Sequence, residues 1–486
     1  MPYRRGSEPD VYDLCVIGAG IAGLNSLYVA KQYLPESAQV LLIDRNHRPG
    51  GVWNTAYDYV RLHQPYEMFT VGNLPWQISK PRGYLATGSE VLSHLRFCLA
   101  RIERDCQIRK LWSTEVVELD ELITGSGATA LIRTRDVSGS ISSREYQARR
   151  VIFAKGLDVP VLDPLHFSSV NVESCTPQTL SSYMHKNAPV YIVGGGKTGM
   201  DTALALGRQG DQTKVSMFVG NGTVFNNRDL LFPTGIKRYV NQSSNMKMAI
   251  DLSMKYNGSN TEDVFEHFKT KYSISPGNSG DRFIFGLVSE AECTQIEALT
   301  HQIVHEFVED VVDAEAGPEI VFRSGERKPV EPGAVFVNCT GHLLLSNVAR
   351  DTPLSACGTI MTISSTCSFS FLPAVASYFM SHLLFSNKLQ FEPFYFIDVD
   401  ALFRKDQKAA FLASLTQALL NPLLAFEALP LRVFQNSGLD FDLWHPFYKR
   451  AVDFVGKQIN RAKYIDHCHQ TLDTVARQYD VSCGPL

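Results

Sequence analysis

The stretch YDLCVIGAG is apolar and rich in β-formers up to Gly18, the pattern of a central parallel strand buried on both faces. The period then changes, and AGLNSLYVAKQYL continues as a helix. A second apolar strand, QVLLIDRN, follows and ends in Asp44. The order strand, glycine turn, helix returns much later in the chain. There APVYIVG leads into GGGKTGMDTALAL, and the next strand is KVSMFVGNG at 214–222.

Between and after these units the patterning is more varied. Residues 108–150 alternate β-rich runs with GSG and SGS turns and predict a small antiparallel hairpin layer. ARRVIFAKGLDVPVLD (148–163) and GAVFVNCTGHLLLSN (333–347) each read as a strand followed by glycine. Residues 225–300 are longer than a minimal mononucleotide-binding half requires, and EDVFEHFKTKY and EAECTQIEALTHQIVHEF predict helices or a lid there. SFLPAVASYFMSHLLF (370–385) predicts a helix after Pro373. The longest apolar run, FLASLTQALLNPLLAFEALPL (411–431), is interrupted by Gln417, Asn421, Pro422, Glu427 and Pro430. It reads as buried or groove-forming helices, and no membrane span is expected. The last hundred residues are helical and aromatic in pattern and carry no diagnostic motif.

Composition narrows the classes. With 486 residues the chain exceeds one ordinary domain, and 44% hydrophobic against 20% charged residues suits a globular protein with a large core. A net charge of −4 gives no reason to expect a nucleic-acid partner. The ten cysteines form no CxxC pair, and several lie in apolar strands, as Cys15 and Cys339 do, which predicts free thiols in a reducing, cytoplasmic setting. The HCH triplet at 467–469 has no second ligand cluster at zinc spacing, so no metal is expected. MPYRRGSEPD has no apolar core and does not read as a secretory signal.

The chemistry starts at the first turn. Gly18, Gly20 and Gly23 form G-x-G-x-x-G between strand and helix. The first glycine allows the tight turn, the second lets a pyrophosphate approach the backbone, and the third lets helix pack on strand. The helix start presents free N–H groups and the positive dipole end to the phosphates. Asp44, at the end of the next strand, is placed to accept hydrogen bonds from a ribose diol. Just beyond it, RPGGVWN carries Gly50, Gly51 and Trp53.

On these residues the chain resembles the flavin-containing monooxygenase-like superfamily, flavoproteins with two dinucleotide-binding domains. In that group an acid followed by G-G-x-W lines FAD, so the resemblance implies FAD at the first turn, with the glycines under the flavin chain and the indole beside it. It also implies an α/β fold of two Rossmann-like dinucleotide-binding domains, the second inserted in the first, with a helical C-terminal region. FAKG and NCTG would mark where the chain leaves and re-enters the FAD unit, with Lys155 in place of the usual threonine and Gly341 lining the cofactor. The expected units are 1–164 (FAD, first part), 165–333 (NAD(P)H, with a helical insertion at about 225–300), 334–386 (FAD, second part) and 387–486 (helical). The helix after Pro373 would point its N-terminus at the flavin pyrimidine, or serve simply as a core helix.

Gly194, Gly196 and Gly199 repeat the first pattern, with Lys197 and Thr198 inside the turn. A triphosphate-binding loop is excluded because position 191, where it needs glycine, is Tyr. The following strand ends without Asp or Glu, and an acid there would repel a 2′-phosphate, so NADPH is expected over NADH. Lys197, Asn221 and Arg228 are the candidate phosphate partners.

The stretch YDYVRLHQPYEMFTVGNLPW (57–76) is the candidate wall of the active site. In the resembled monooxygenases an amide stands near the flavin after G-G-x-W, which makes Gln64 the matching residue, with His63 beside it and Arg61 a candidate for nicotinamide phosphate or substrate. RLHQP also reads as a surface turn broken by Pro65. The F-x-G-x-x-x-H signature of the resembled monooxygenases is not completed by HFSSVNVESCTPQTL (166–180). Three readings follow: an NADPH-driven monooxygenase using molecular oxygen on a small organic molecule, by hydroxylation or N- or S-oxidation; a flavin reductase or oxidase; or a non-catalytic FAD-binding protein.

Overall fold

The computed structural model describes residues 11–125, 127–137, 143–157, 159–183, 188–207, 215–241, 243–278, 280–341 and 349–486. The first apolar run is β1 (Leu14–Ile17), fully buried, and the helix after it is α1 (Ile21–Ala30). β2 (Gln39–Ile43), α2 (Gly88–Ile102) and β3 (Gln107–Leu111) continue the unit. Next come β4 (Thr114–Thr124), β5 (Gly127–Asp136), β6 (Arg144–Ala148) and β7 (Val151–Gly156). β1, β2, β3, β7 and the strand Ile360–Ser364 form a five-stranded parallel sheet in the order Ile360–Ser364, β7, β1, β2, β3. β4, β5 and β6 pair antiparallel, as the alternation in 108–150 predicts, although β3 joins the parallel sheet. The SGS turn at 138–140 lies outside the described residues, as does the serine of the GSG turn.

The second unit repeats the plan. β8 (Glu173–Cys175), β9 (Val190–Val193), α3 (Lys197–Gly207) and β10 (Val215–Phe218) belong to a sheet ordered Thr300–Val304, β10, β9, Val335–Asn338, β8. All its pairings are parallel. This corrects one boundary. The sequence places the return to the first unit at 334, but Val335–Asn338 registers residue by residue with Val190–Val193, so the second sheet keeps it. The first sheet resumes only at Ile360–Ser364. The two crossings run side by side, since Asn338 Nδ2 donates to the Asp163 carbonyl at 2.8 Å. Lys155, the departure from the usual threonine, forms an ion pair with Asp351 at 2.6 Å that ties the outgoing strand to the returning chain. The segment that lacks the monooxygenase signature supports the second sheet instead: the Phe167 ring meets Phe336 edge-on at 4.8 Å.

The insertion contributes the helices Asn245–Lys255, Thr261–Tyr272 and Glu290–Leu299 and the strand Arg282–Val288. The first two of these helices are not a free lid. Phe265 and Phe268 join the core of the first unit and meet Phe411 of the helix Gln407–Ala428. That helix is long and apolar enough to cross a membrane, but it is largely buried inside the protein. Its polar residues do not interrupt it. Gln417 Nε2 donates to the carbonyls of Ser368 and Tyr395, and the Asn421 amide clamps Phe369 and both backbone groups of Tyr395. Buried amides are costly unless paired, so these clamps fix the register of the helix against 368–397.

The helix Pro373–Phe385 packs on α1, with Ser381 bonded to Ser26 and Tyr378 stacked on Tyr28. No side chain caps its N-terminus. Phe371, just before it, stacks at 5.0 Å on Phe285, which takes the left-handed backbone φ of 50° at an irregularity in the strand pairing of the insertion.

Candidate functional site

The first turn is built by close approach. Gly18 has φ of 104°, and a Cβ there would run into the Ala154 carbonyl of β7. A Cβ on Gly23 would overlap the Gly18 carbonyl oxygen, so only glycine lets α1 start against β1. Gly20 faces the second glycine element: its Cβ would sit 3.3 Å from the Gly51 Cα, and a Gly51 Cβ 3.0 Å from the Gly20 Cα. The Gly50 amide donates to the Ala19 carbonyl at 3.0 Å, which locks the two loops together. Asp44 is buried at 5% exposure; Oδ2 accepts from the Ala19 amide at 2.5 Å and Oδ1 from Asn46. Here the carboxylate braces the turn from inside. Trp53 lies on the short helix Gly51–Asn54, edge-on to Phe69 at 5.9 Å. A backbone cradle free of side chains, at the start of a helix, fits a dinucleotide pyrophosphate.

The second turn has the same first and third glycines. Gly194 has φ of 123° against the Cys339 carbonyl, and Gly199 sits on the Gly194 carbonyl oxygen. Its centre differs. A Cβ on Gly196 would meet nothing within 4 Å, so the turn opens outward. Beside it Gly195, Val219, Gly222, Thr223 and His305 line a hollow.

Three contacts bring the wall segment onto this second turn. Tyr57 donates to Asp201 at 2.8 Å, Tyr59 shares a hydrogen bond with Thr202 at 2.9 Å, and Arg228 Nη1 donates to the His63 carbonyl at 3.0 Å. Asp201 also pairs with Lys197, and Arg228 pairs with Glu292. Two of the candidate phosphate partners are thus each paired with a carboxylate, and Arg228 is only 8% exposed. Asn221 is exposed at the end of β10, and its carbonyl accepts from the Asp281 amide. Burial pushes the His63 imidazole down to about 3, helped by the charges of Lys197 and Arg228, so it is neutral at physiological pH. Burial raises Glu292, but Arg228 and Lys197 outweigh it and hold the carboxyl below its usual range.

The other two wall residues differ from each other. Arg61 bridges to Thr87 and donates to the Leu85 carbonyl at 2.9 Å, with its guanidinium over the Tyr84 ring, so it braces the neighbouring loop. The Gln64 Oε1 atom is buried with no hydrogen-bond partner among the described residues. A buried acceptor left unpaired costs free energy, and a bound group with a donor would satisfy it. Gly341 lies against Leu162 of the outgoing crossing.

Sequence reading missed one cluster. Phe307 packs against Gly220 at the end of β10, and Arg323 and Arg282 stack on its ring at 4.3 and 5.9 Å. The two arginines stand where the acid of the first unit stands, at the end of the second strand of the fold. Nothing in their local sequence marks them, because pairing of distant strands assembles the group.

Comparison with known proteins agrees with this geometry. The family model described as pyridine nucleotide-disulphide oxidoreductase matches residues 12–255. An uncharacterized protein of Mycobacterium tuberculosis is 25% identical over 350 residues, which are 68% of this chain and 60% of that protein. An uncharacterized oxidoreductase of Bacillus velezensis is 29% identical over 211 residues, 41% of this chain and 53% of its own length. The chain thus spans about 60% of the length of the first of these relatives. Among solved structures, ornithine hydroxylase from Pseudomonas aeruginosa superposes with a TM-score of 0.50 at 14% identity, covering 77% of this chain and 99% of that one.

The two parallel sheets, each with a glycine turn at the start of a helix, define a protein of two Rossmann-like units. The chain belongs to the pyridine nucleotide-disulphide oxidoreductase family.

Proposed function

We propose that the protein is an NADPH-driven flavin monooxygenase that hydroxylates a small organic substrate or oxidises its nitrogen or sulfur, with molecular oxygen as co-substrate. The observation that carries this reading is the unpartnered Gln64 carbonyl, in a segment docked by Tyr57, Tyr59 and the His63 carbonyl on the second glycine turn. When bound, the two cofactors supply hydride transfer and oxygen activation.

The chain's own residues supply position and polarity. Gly18, Gly20, Gly23, Gly50 and Gly51 would carry the FAD pyrophosphate, with Trp53 beside the flavin chain. Gly194, Gly196, Thr198 and Gly199 would carry that of NADPH, and Arg282 and Arg323 would take the 2′-phosphate in place of Arg228. The Gln64 amide would hydrogen-bond a polar group at the reacting centre. His63, neutral because of its burial and flanking cations, would offer a hydrogen bond without delivering a proton. The Lys197–Asp201–Tyr57 chain would fix one unit against the other.

A disulfide relay is disfavoured by the thiols. There is no CxxC, and burial pushes both Cys175 and Cys339 up to about 12, far from a reactive thiolate. Hydroxylation of the ornithine type is the first class to screen, because the fold hosts it in the Pseudomonas protein.

The test is anaerobic mixing with NADPH followed by isotope-labelled oxygen and a panel of amines, thioethers and ketones. The flavin absorbance should bleach, and label should enter one substrate as peroxide release falls. Quantitative peroxide release with every substrate, together with turnover of quinones or disulfides, would make the protein a reductase instead.

A further inference from the structure

The helix Phe447–Ile459 buries none of its residues. Tyr448, Val452, Val455 and Ile459 recur at helical spacing on one side, and the last three are 70%, 56% and 77% exposed. A second segment widens this surface. The turn at 235–241 is fastened to the helix by Tyr448, which donates to the Tyr239 carbonyl at 2.8 Å, and by Lys449, whose amine donates to the carbonyls of Arg238 and Asn241. It adds Ile236 and Val240, both strongly exposed. An apolar ridge of this kind on a folded surface marks a binding face.

Charge says what it binds. The two segments carry five cations, Lys237, Arg238, Lys449, Arg450 and Lys457, and one anion, Asp453, which is paired with Lys247 at 3.3 Å. The patch is strongly basic in a chain whose net charge is −4. A helix with aromatic and branched apolar residues on one face and lysine and arginine on its polar side, as Arg450 and Lys457 are by helical spacing, is suited to lie in the headgroup region of an anionic bilayer.

We propose that this ridge is a peripheral docking surface for an anionic phospholipid bilayer, on which the protein lies without spanning it. It is independent of the reaction assigned above. The FAD-loaded protein is floated with vesicles of phosphatidylcholine alone and of phosphatidylcholine with phosphatidylglycerol, at low and high salt. Binding is expected only to the mixed vesicles and should weaken with salt. K237Q/R450Q should lower it about 30-fold, since each cation near such a surface contributes about tenfold or somewhat less. V452D/I459D should abolish it, with flavin content and thermal midpoint unchanged. Absence of binding to the mixed vesicles by the folded protein would overturn the proposal, as would equal binding to neutral vesicles. So would a dimer, seen by light scattering without lipid, that V452D/I459D dissociates.

Discussion

The two glycine turns are built on one plan and differ at the centre. Both use a first glycine at positive φ against a carbonyl of the neighbouring strand, and both set the third glycine on the carbonyl of the first. At the first turn, however, Gly20 lies against Gly51 of the same unit, and Asp44 braces Ala19 from below. At the second turn Gly196 faces open space, and no carboxylate ends β10. One turn is enclosed by its own chain and the other is open. That is the difference expected between a cofactor that stays bound through many turnovers and a coenzyme that must enter and leave at each one.

The strongest way to break this comparison is to overfill the shared part. Gly23→Val places a side chain on the Gly18 carbonyl, and overpacking of this sort costs about 1–3 kcal/mol or more. Little folded, flavin-loaded protein is expected, judged by yield and circular dichroism. Normal yield with full flavin would mean that the close packing of α1 on β1 does not matter. Next, Gly20→Val should leave the fold and empty the first site, lowering the FAD-to-protein ratio about tenfold or more by blocking the approach of phosphate to backbone. Unchanged flavin content would remove the assignment of that turn. Gly196→Val should then do the reverse. With open space around it, the variant should keep its flavin and thermal midpoint, while the NADPH concentration needed for half-maximal bleaching rises about tenfold or more. If FAD were lost as well, the two turns would not be independent.

A smaller change sharpens the distinction between the coenzymes. R282Q/R323Q should reduce the preference for NADPH over NADH by about tenfold or more, since a charge-assisted hydrogen bond contributes roughly 1.5–3 kcal/mol. The readout is the ratio of kcat/KM values, with NADH kinetics as the internal control. An unchanged ratio would return the 2′-phosphate to Lys197 or Asn221.

Much of this arrangement is legible from the sequence, because it is encoded locally. Each glycine turn with its flanking strand and helix lies within about two dozen residues, and steric demands act over that range. The buried reading of 411–431 was also available, since amides and a proline in an apolar run suit a packed interior. What is not legible is set by pairing across distance. Val335–Asn338 has the same apolar pattern whichever sheet it joins, and only its neighbours decide. Arg228 looks like a free cation until Glu292, 64 positions on, is brought against it. Arg282 and Arg323 converge on Phe307 through strand pairing within the second unit. Phe447–Ile459 belongs to the stretch that carries no diagnostic motif, and nothing covers its apolar stripe among the described residues, since amphipathic periodicity does not say which partner the apolar side meets.

The smallest expected effect concerns the seam between the two turns and is read from pH. His63 titrates near 3 in the fold and near 6.5 when unfolded. Between those values the unfolded chain binds a proton that the folded chain refuses, so stability falls as pH falls, by up to about 1.4 kcal/mol per pH unit for one such group. His94 and His382 are each pushed down to about 4 by burial, burial also pushes His445 and His469 down, and all act in the same direction, while Asp442, raised to about 6 by burial, opposes them. Wild-type protein should therefore lose stability below about pH 6.5 in urea titrations, and His63→Gln should make that slope shallower. The same substitution in a Gly196→Val background should have the same effect, because the seam is held by Tyr57, Tyr59 and Arg228 whether or not the open turn can take its coenzyme. A slope unaltered by His63→Gln would show that the ring is reached by solvent and proton in the folded protein, and the second turn would then be separated from the first by a wet cleft rather than by a packed seam.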